Sequence, residues 1–372
     1  MSAKPTFFDE EGDGYVLGLL RLLLGVLLVL QIRRLTGPAL NGEYFADYFH
    51  LPILPAAFVP SEPVFFALRA LQMAGAIAAV VGWFGRAGLC SAALIGLYLL
   101  LCDRLQYHNN RYALLLLAFL CAFTPCDRSF RLFKGRRHAA EPALRQGPLW
   151  ARRLLMLQVA VFYLASGGGK LLDPDWRGGV TMLLRFRGME RFYERRGLPA
   201  PQWLLDTFSN LEFVELLSKG AIATELFLAL GLLFARTRAA ALWLGVAFHI
   251  GIELSARVEL FSFLMGASYL AFVTPALGER KLEVDPASRL GRALARFLPW
   301  LDWFKRFELV RSTRGTTAPI VLVDRDGRRS AGVAALAGFA RAVPLLFLLW
   351  PPLALAALVQ RRRKSGARVA AE

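Results

Sequence analysis

Cysteine and histidine are both scarce in this chain, with four of each in 372 residues. The cysteines are Cys90, Cys102, Cys121 and Cys126; no two form a C-x-x-C pair and none lies beyond Cys126. Such a set gives neither a zinc pattern nor a disulfide framework, and a cysteine in an apolar helix behaves as a small hydrophobe. The histidines His50, His108, His138 and His249 lack metal-ligand spacing, so no metal site is expected. Acidic residues are also few: 28 Asp and Glu against 45 Lys and Arg, a formal net charge of +17. No internal repeat is apparent, which leaves a transporter reading without its usual sequence support. A cleavable leader is not expected. The tail before the first apolar block is acidic (Asp9, Glu10, Glu11, Asp13), no small-residue cleavage site follows that block, and Arg33 and Arg34 come next.

What the chain has in excess is apolar sequence, 56% hydrophobic residues with a mean hydropathy of +0.44. The excess is gathered into blocks at 15–32, 63–84, 88–102, 107–124, 153–166, 213–234, 239–254 and 258–277. A bilayer-crossing helix needs about 20 mostly apolar residues, and in lipid the backbone must satisfy its own hydrogen bonds. The blocks therefore predict an all-α integral membrane helical bundle of about eight spans. The third, fourth, fifth and seventh are short and must borrow flanking polar residues. The basic residues lie between these blocks and not on one soluble face, which excludes a nucleic-acid partner and leaves the lipid bilayer as the expected one.

Basic loops beside membrane helices mark the cytoplasmic side. The loop 125–153 carries Arg128, Arg131, Lys134, Arg136, Arg137, Arg145, Arg152 and Arg153 against Asp127 and Glu141. Counting helices from it places a cytoplasmic tail at 1–14, a membrane domain at 15–277 and a basic cytoplasmic segment at 278–372. Both termini are then inside. The arginines of the loop after Lys170 (Arg185, Arg187, Arg191, Arg195, Arg196) fall outside, in a long loop that also holds acids.

On this topology the unusual polar groups gather near one face. Asn109, Asn110 and Arg111 follow the third block, Lys170 ends the fifth behind Gly167, Gly168 and Gly169, and His249 lies in the outer half of the seventh with Glu253 one turn on. Ionisable residues inside spans are expensive and normally face a bundle interior or a wet cavity. A lysine shielded from water can act as a base, and the glycines permit unusual dihedrals and close approach where that helix ends. Each residue also has a plainer role: a core histidine, an Asn-Asn turn, a lysine reaching for the headgroups, an interfacial Glu215–Lys219 pair and a buried Arg21–Glu225 pair.

Three stretches taken together carry a resemblance. They are His108-Asn109-Asn110-Arg111-Tyr112 with Ala118-Phe119 and Phe123; Tyr163-Leu164-Ala165-Ser166-Gly167 through Lys170 with Asp173-Pro174-Asp175-Trp176 and Gly179; and Phe248-His249 with Leu260 to Met265 and Ala267-Ser268. In order and spacing they resemble the membrane domain of vitamin K-dependent gamma-carboxylase. They are still more similar to its bacterial relatives, the HTTM (horizontally transferred transmembrane) domain proteins, over about 15–275. The resemblance implies a pocket near the non-cytoplasmic face of a bacterial cytoplasmic (inner) membrane and acid/base chemistry on a quinone-like or other lipid-soluble small molecule. Lys170 would be the general base, Arg111 with Asn109 and Asn110 would hold an oxyanion, His249 would orient or relay, and Trp176 would help to bind the substrate. A quinone is the one cofactor it suggests.

The departures are specific. An ungapped alignment of Asp173-Pro174-Asp175-Trp176 sets the family's second, catalytic lysine at Leu171, so Lys170 matches only with a one-residue shift in the glycines. Arg111 stands where the family's oxyanion histidine would be, and an arginine does not shuttle protons near neutral pH. The carboxylase's large luminal domain is missing, so glutamate carboxylation is not expected. A non-catalytic lipid or quinone binder, or a membrane assembly protein, remains the competing expectation.

The 278–372 segment predicts a small α/β unit. Ile320 to Gly327 reads as a strand and turn, and Ala331 to Leu336 begins a helix. This part resembles the back half of the DCC thiol–disulfide oxidoreductase family without its cysteines, so redox chemistry of that kind is not expected. The apolar run 331–359, interrupted by Pro344, Pro351 and Pro352 and followed by Arg361 to Lys364, reads either as a surface-leaning part of this unit or as a further span.

Overall fold

A computed structural model describes residues 11–42, 45, 51–132, 146–194, 197–256, 258–273, 280–312 and 318–369. The tail 1–10, residues 133–145 of the basic loop, Arg195, Arg196, His50 and His138 lie outside the described residues. The chain divides into two compact units, Met1–Val273 and Thr274–Glu372.

The first unit is a helical bundle. Its long helices are α1 (Tyr15–Leu40), α2 (Glu62–Val81), α3 (Gly85–Cys102), α4 (Asn109–Ala122) and α5 (Trp150–Leu172), and a short antiparallel pair joins β1 (Glu11–Asp13), just before α1, to β2 (Gln146–Pro148), just before α5. Four short helices follow: α6 (Pro174–Arg177), α7 (Val180–Phe186), α8 (Met189–Glu194) and α9 (Gln202–Ser209). The bundle closes with α10 (Leu211–Gly231), α11 (Arg238–Ala256) and α12 (Phe261–Ser268). Helix α1 runs through the core, burying Leu17, Leu20, Leu24 and Leu28 against α2, α4 and α12. Helices α2 and α3 cross where a Cβ on Gly88 would sit 2.4 Å from the Gly75 carbonyl oxygen, the close approach that small residues give membrane helices.

The outer surface identifies the solvent. Helix α2 has a mean hydropathy of 1.9 over its most apolar window, yet only 28% of that window is buried inside the protein. Leu71, Ile77, Leu94, Leu157, Leu164 and Leu230 all point outward. A soluble protein does not leave so much contiguous apolar surface uncovered, so the bundle lies in a bilayer. Among the described residues, five helical segments are long and apolar enough to cross it: α1, α2, α3, α5 and Pro344–Arg362. The expectation of about eight spans meets a more uneven set. Helix α4 has 14 residues and α12 has 8; α10 has 21 but carries Glu212, Glu215, Lys219 and Glu225.

Two cations, buried Arg21 and partly buried Lys170, tie helices of the bundle together, and neither follows the pairing envisaged for Arg21 and Glu225. Arg21, fully buried in α1, donates to four backbone carbonyls: Ala79 (2.6 Å), Phe130 (2.6 Å), Cys126 (3.1 Å) and Ser129 (3.1 Å). It thereby seals the end of α2 and the turn after α4, whose carbonyls have left the helical ladder. Glu225 pairs instead with Lys170. The tri-glycine run does not break its helix either, because α5 continues through Gly169 to Leu172. A Cβ on Gly167 would lie 3.1 Å from the Glu225 Cβ and 3.2 Å from the Leu226 side chain, whereas Gly168 and Gly169 have nothing within 4 Å. Gly167 therefore lets α10 approach α5 closely.

The second unit is the small α/β body expected. Its sheet has the order β4-β3-β5-β6, with β3 (Arg280–Val284), β4 (Phe307–Arg311), β5 (Ile320–Val323) and β6 (Arg329–Ala331). β3 and β4 are parallel and joined by α13 (Arg289–Leu301), while β5 is antiparallel to β3 and β6. Leu282, Leu294, Leu298, Leu322 and Phe339 form its core with α14 (Val333–Ala342). The final helix, α15 (Trp350–Val369), follows a 3-10 turn at Pro344–Leu349.

Two stability outcomes follow. Arg21→Met orphans four carbonyls and should cost about 3 kcal/mol or more; Arg21→Lys should recover only part, because an ammonium lacks the guanidinium fork. Gly167→Leu should cost about 1–3 kcal/mol by overpacking, while Gly168→Leu should be near neutral. Thermal unfolding of the detergent-purified variants reads both comparisons, and equal sensitivity at 167 and 168 would contradict this view of the α5–α10 contact.

Candidate functional site

The bundle holds a cavity of about 630 Å³ that opens to the outside, within the size range of small-molecule sites. Its wall is mostly apolar and aromatic, with Phe162, Phe186, Phe248 and Phe261 among the lining side chains. Lys170 projects into it from the last turn of α5. The ammonium bonds both Glu225 oxygens at 2.6 Å and Ser166 Oγ at 2.7 Å. Glu225 is 5% exposed and comes from the middle of α10. Helical spacing places Ser166 one turn before Lys170, so one face of α5 and a single residue of α10 build the whole polar cluster.

Trp176 covers this cluster. Asp173 caps the short α6 by accepting from the amides of Asp175 and Trp176, and Ser218 of α10 donates to the Trp176 carbonyl. The indole is thereby fixed with Lys170 Nζ 5.0 Å from its centroid and the Arg185 guanidinium at 5.5 Å. Cation–π attraction of this kind holds a cation over an aromatic face. Asp175 is exposed.

Across the cavity stand Asn109 and Asn110, in the first turn of α4. His108 caps that helix through Nδ1, which accepts from the Asn110 amide at 3.2 Å. The Asn110 side-chain nitrogen is buried and makes no hydrogen bond among the described residues. A buried donor without a partner costs about 1–3 kcal/mol, and here it borders a cavity able to hold a ligand acceptor.

Lys170, Asn109, Asn110 and Trp176 thus line one cavity, while Arg111 and His249 do not. Arg111 turns to Glu259 at 3.2 Å and to the Gln106 carbonyl at 2.7 Å. Glu259 sits at φ +44° and also meets Arg34 at 3.4 Å, so these charges tie the start of α4 to α1 and the α11–α12 turn. His249 is 4% exposed behind the rings of Phe248 and Phe261. Its Nε2 meets Tyr163 Oη at 2.7 Å, and Tyr163 Oη meets Tyr269 Oη at 2.5 Å. Its Nδ1 has no partner among the described residues. The Glu215–Lys219 pair is exposed at 2.5 Å, as the plain reading had it.

Sequence reasoning missed four partners: Glu225 for Lys170, Glu259 for Arg111, Tyr163 for His249 and Arg185 over Trp176. Glu225 left a signal. It lies in an apolar stretch of α10 with no basic residue three or four positions away, so its counter-charge had to come from another helix.

No solved structure matches the chain. A family model described as the HTTM domain matches residues 10–276, well over half of the sequence and nearly all of the membrane bundle that holds this cavity. The chain is an integral membrane protein of the HTTM domain family.

Proposed function

We propose that the cavity receives a lipid-soluble molecule with a weakly acidic hydroxyl, a quinol-like compound, and that Lys170 and Glu225 together take up its proton. The observation that carries this reading is the ammonium of Lys170, bonded to a buried carboxylate on the wall of a mostly apolar cavity. The pair has no net charge. In the step proposed, Lys170 gives a proton to Glu225 and takes the substrate hydroxyl proton in its place. Glu225 ends as a neutral acid, Lys170 remains an ammonium, and the substrate oxyanion lies against that ammonium. Proton uptake then adds no isolated charge to the protein interior, the costly outcome in a low-dielectric site. Asn110 offers its unpartnered side-chain N–H to a substrate oxygen, Asn109 stands beside it, and Trp176 supplies a flat face for a ring. Arg111 acts through the placement of the α4 start and His249 through the wall behind Phe248 and Phe261.

The finer topology belongs to the same reading: a bacterial cytoplasmic membrane, both termini cytoplasmic, the cavity towards the other face, and residues 278–372 as a separate segment related to the DCC family. One observation favours a second reading, a binder without chemistry. The Lys170 ammonium has its donors on Glu225 and Ser166 already, as a purely structural ion pair would.

Two measurements separate the readings. Anaerobic titration of the detergent-purified protein with a naphthohydroquinone, followed by phenolate absorbance, should show the bound hydroxyl ionising at lower pH than in detergent alone. Lys170→Met should abolish that shift while the protein still elutes as a single species. An unchanged shift in Lys170→Met rules out the proton-transfer reading. Separately, Lys170→Met strands a buried carboxylate and should cost about 3–5 kcal/mol, whereas Lys170→Met with Glu225→Met should cost markedly less. A double-variant loss equal to the sum of the Lys170→Met and Glu225→Met losses would show that the two groups are not energetically coupled.

A further inference from the structure

Helix α13 of the second unit carries three parallel stripes. Leu294 and Leu298 face the unit's own core. Leu290, Ala293, Phe297 and Trp300, spaced three and four apart, form a second apolar stripe that is open to solvent; Phe297 is 51% and Trp300 78% exposed. Arg289, Arg292 and Arg296, each one position before a member of the open stripe, line its far edge and are exposed. An apolar stripe rimmed by arginine with tryptophan at its end is the pattern of a helix lying in the bilayer interface, its apolar side chains among the acyl chains and its cations at the phosphates. The chain to which α13 belongs is embedded in a bilayer through its first unit, so a lipid surface is available to it. None of the three arginines has an acidic partner among the described residues: Arg292 donates to the carbonyls of Pro286 and Ala287, and Arg296 lies over the Phe297 ring. The charge left over is positive.

We infer that α13 is a membrane-surface element that recognises anionic phospholipid headgroups, with Phe297 and Trp300 inserted and Arg289 and Arg296 on the phosphates. Each arginine near an anionic surface adds roughly fivefold to binding, so the element prefers acidic over zwitterionic lipid.

The test uses the full chain reconstituted in bilayers of phosphatidylcholine alone or mixed with phosphatidylglycerol, with acyl chains brominated to quench tryptophan. The difference between wild type and Trp300→Phe isolates Trp300. Its emission should be quenched, more strongly with phosphatidylglycerol, and Arg289→Glu with Arg296→Glu should erase that lipid dependence. Arg292 is left in place because it holds the turn before α13, and native-like protease resistance of the second unit checks that the variants fold. An unquenched Trp300 in both bilayers overturns the inference and leaves the stripe to a protein partner. Quenching that ignores headgroup charge and the arginine changes overturns the recognition of acidic lipid.

Discussion

The ion pair between Lys170 and Glu225 is the contact on which the cavity depends. It joins α5 to α10 across the interior, and α5 and α10 are two of the principal walls. In water such a pair would be worth little. Here Glu225 is buried and Lys170 nearly so, and removing either partner strands the other in an apolar surround. The pairing therefore fixes the helix spacing more than it adds net stability. Gly167 makes that spacing attainable, because a side chain there would collide with Glu225 itself. Glycine, serine and lysine at positions 167, 166 and 170 are parts of one device: the first admits the carboxylate, the third binds it, and the second accepts from the third.

The two cations illustrate different solutions to one problem. Arg21 takes no carboxylate and spends its planar donors on carbonyls that the ends of helices leave unpaired. That arrangement uses four of the five guanidinium N–H donors on backbone and borders no cavity of ligand size, and it reads as structural. Lys170 takes a carboxylate and faces a volume large enough for a ligand. A guanidinium stays charged under all ordinary conditions, while an amine beside a carboxylate can exchange a proton with it. Residue type and surroundings thus agree in each case, and they separate the structural cation from the one suited to chemistry.

The polar groups that line the cavity also differ in how they are held. Trp176 is over-determined, with a capped helix below it, a serine on its carbonyl and cations near its ring. His249, which does not line the cavity, is held by Tyr163, itself bonded to Tyr269, on the protected side of Phe248 and Phe261. Of the residues that line the cavity, Asn110 keeps a buried side-chain donor without a partner among the described residues. A rigid aromatic floor, a paired acid and base, and an unpartnered donor are the features on which the proposed binding of a planar, oxygen-bearing ring rests, in keeping with preorganised binding.

Much of this was legible in the sequence because lipid imposes strict rules. Apolar blocks of the required length gave the bundle, and the three stretches around Asn110, Lys170 and His249 gave the family and four of the cavity residues. What could not be read was which polar group met which. Side chains on one helix meet at spacings of three and four, so Glu215 with Lys219 was foreseeable. Lys170 with Glu225 is 55 positions apart, and Arg111 with Glu259 is 148; no local rule reaches that far. The glycines misled for a related reason. Three in a row suggest a helix end in water, where glycine is costly within a helix. In a packed bundle the same residues mark where another helix draws near, and the one of the three that does so became evident only with Glu225 beside it.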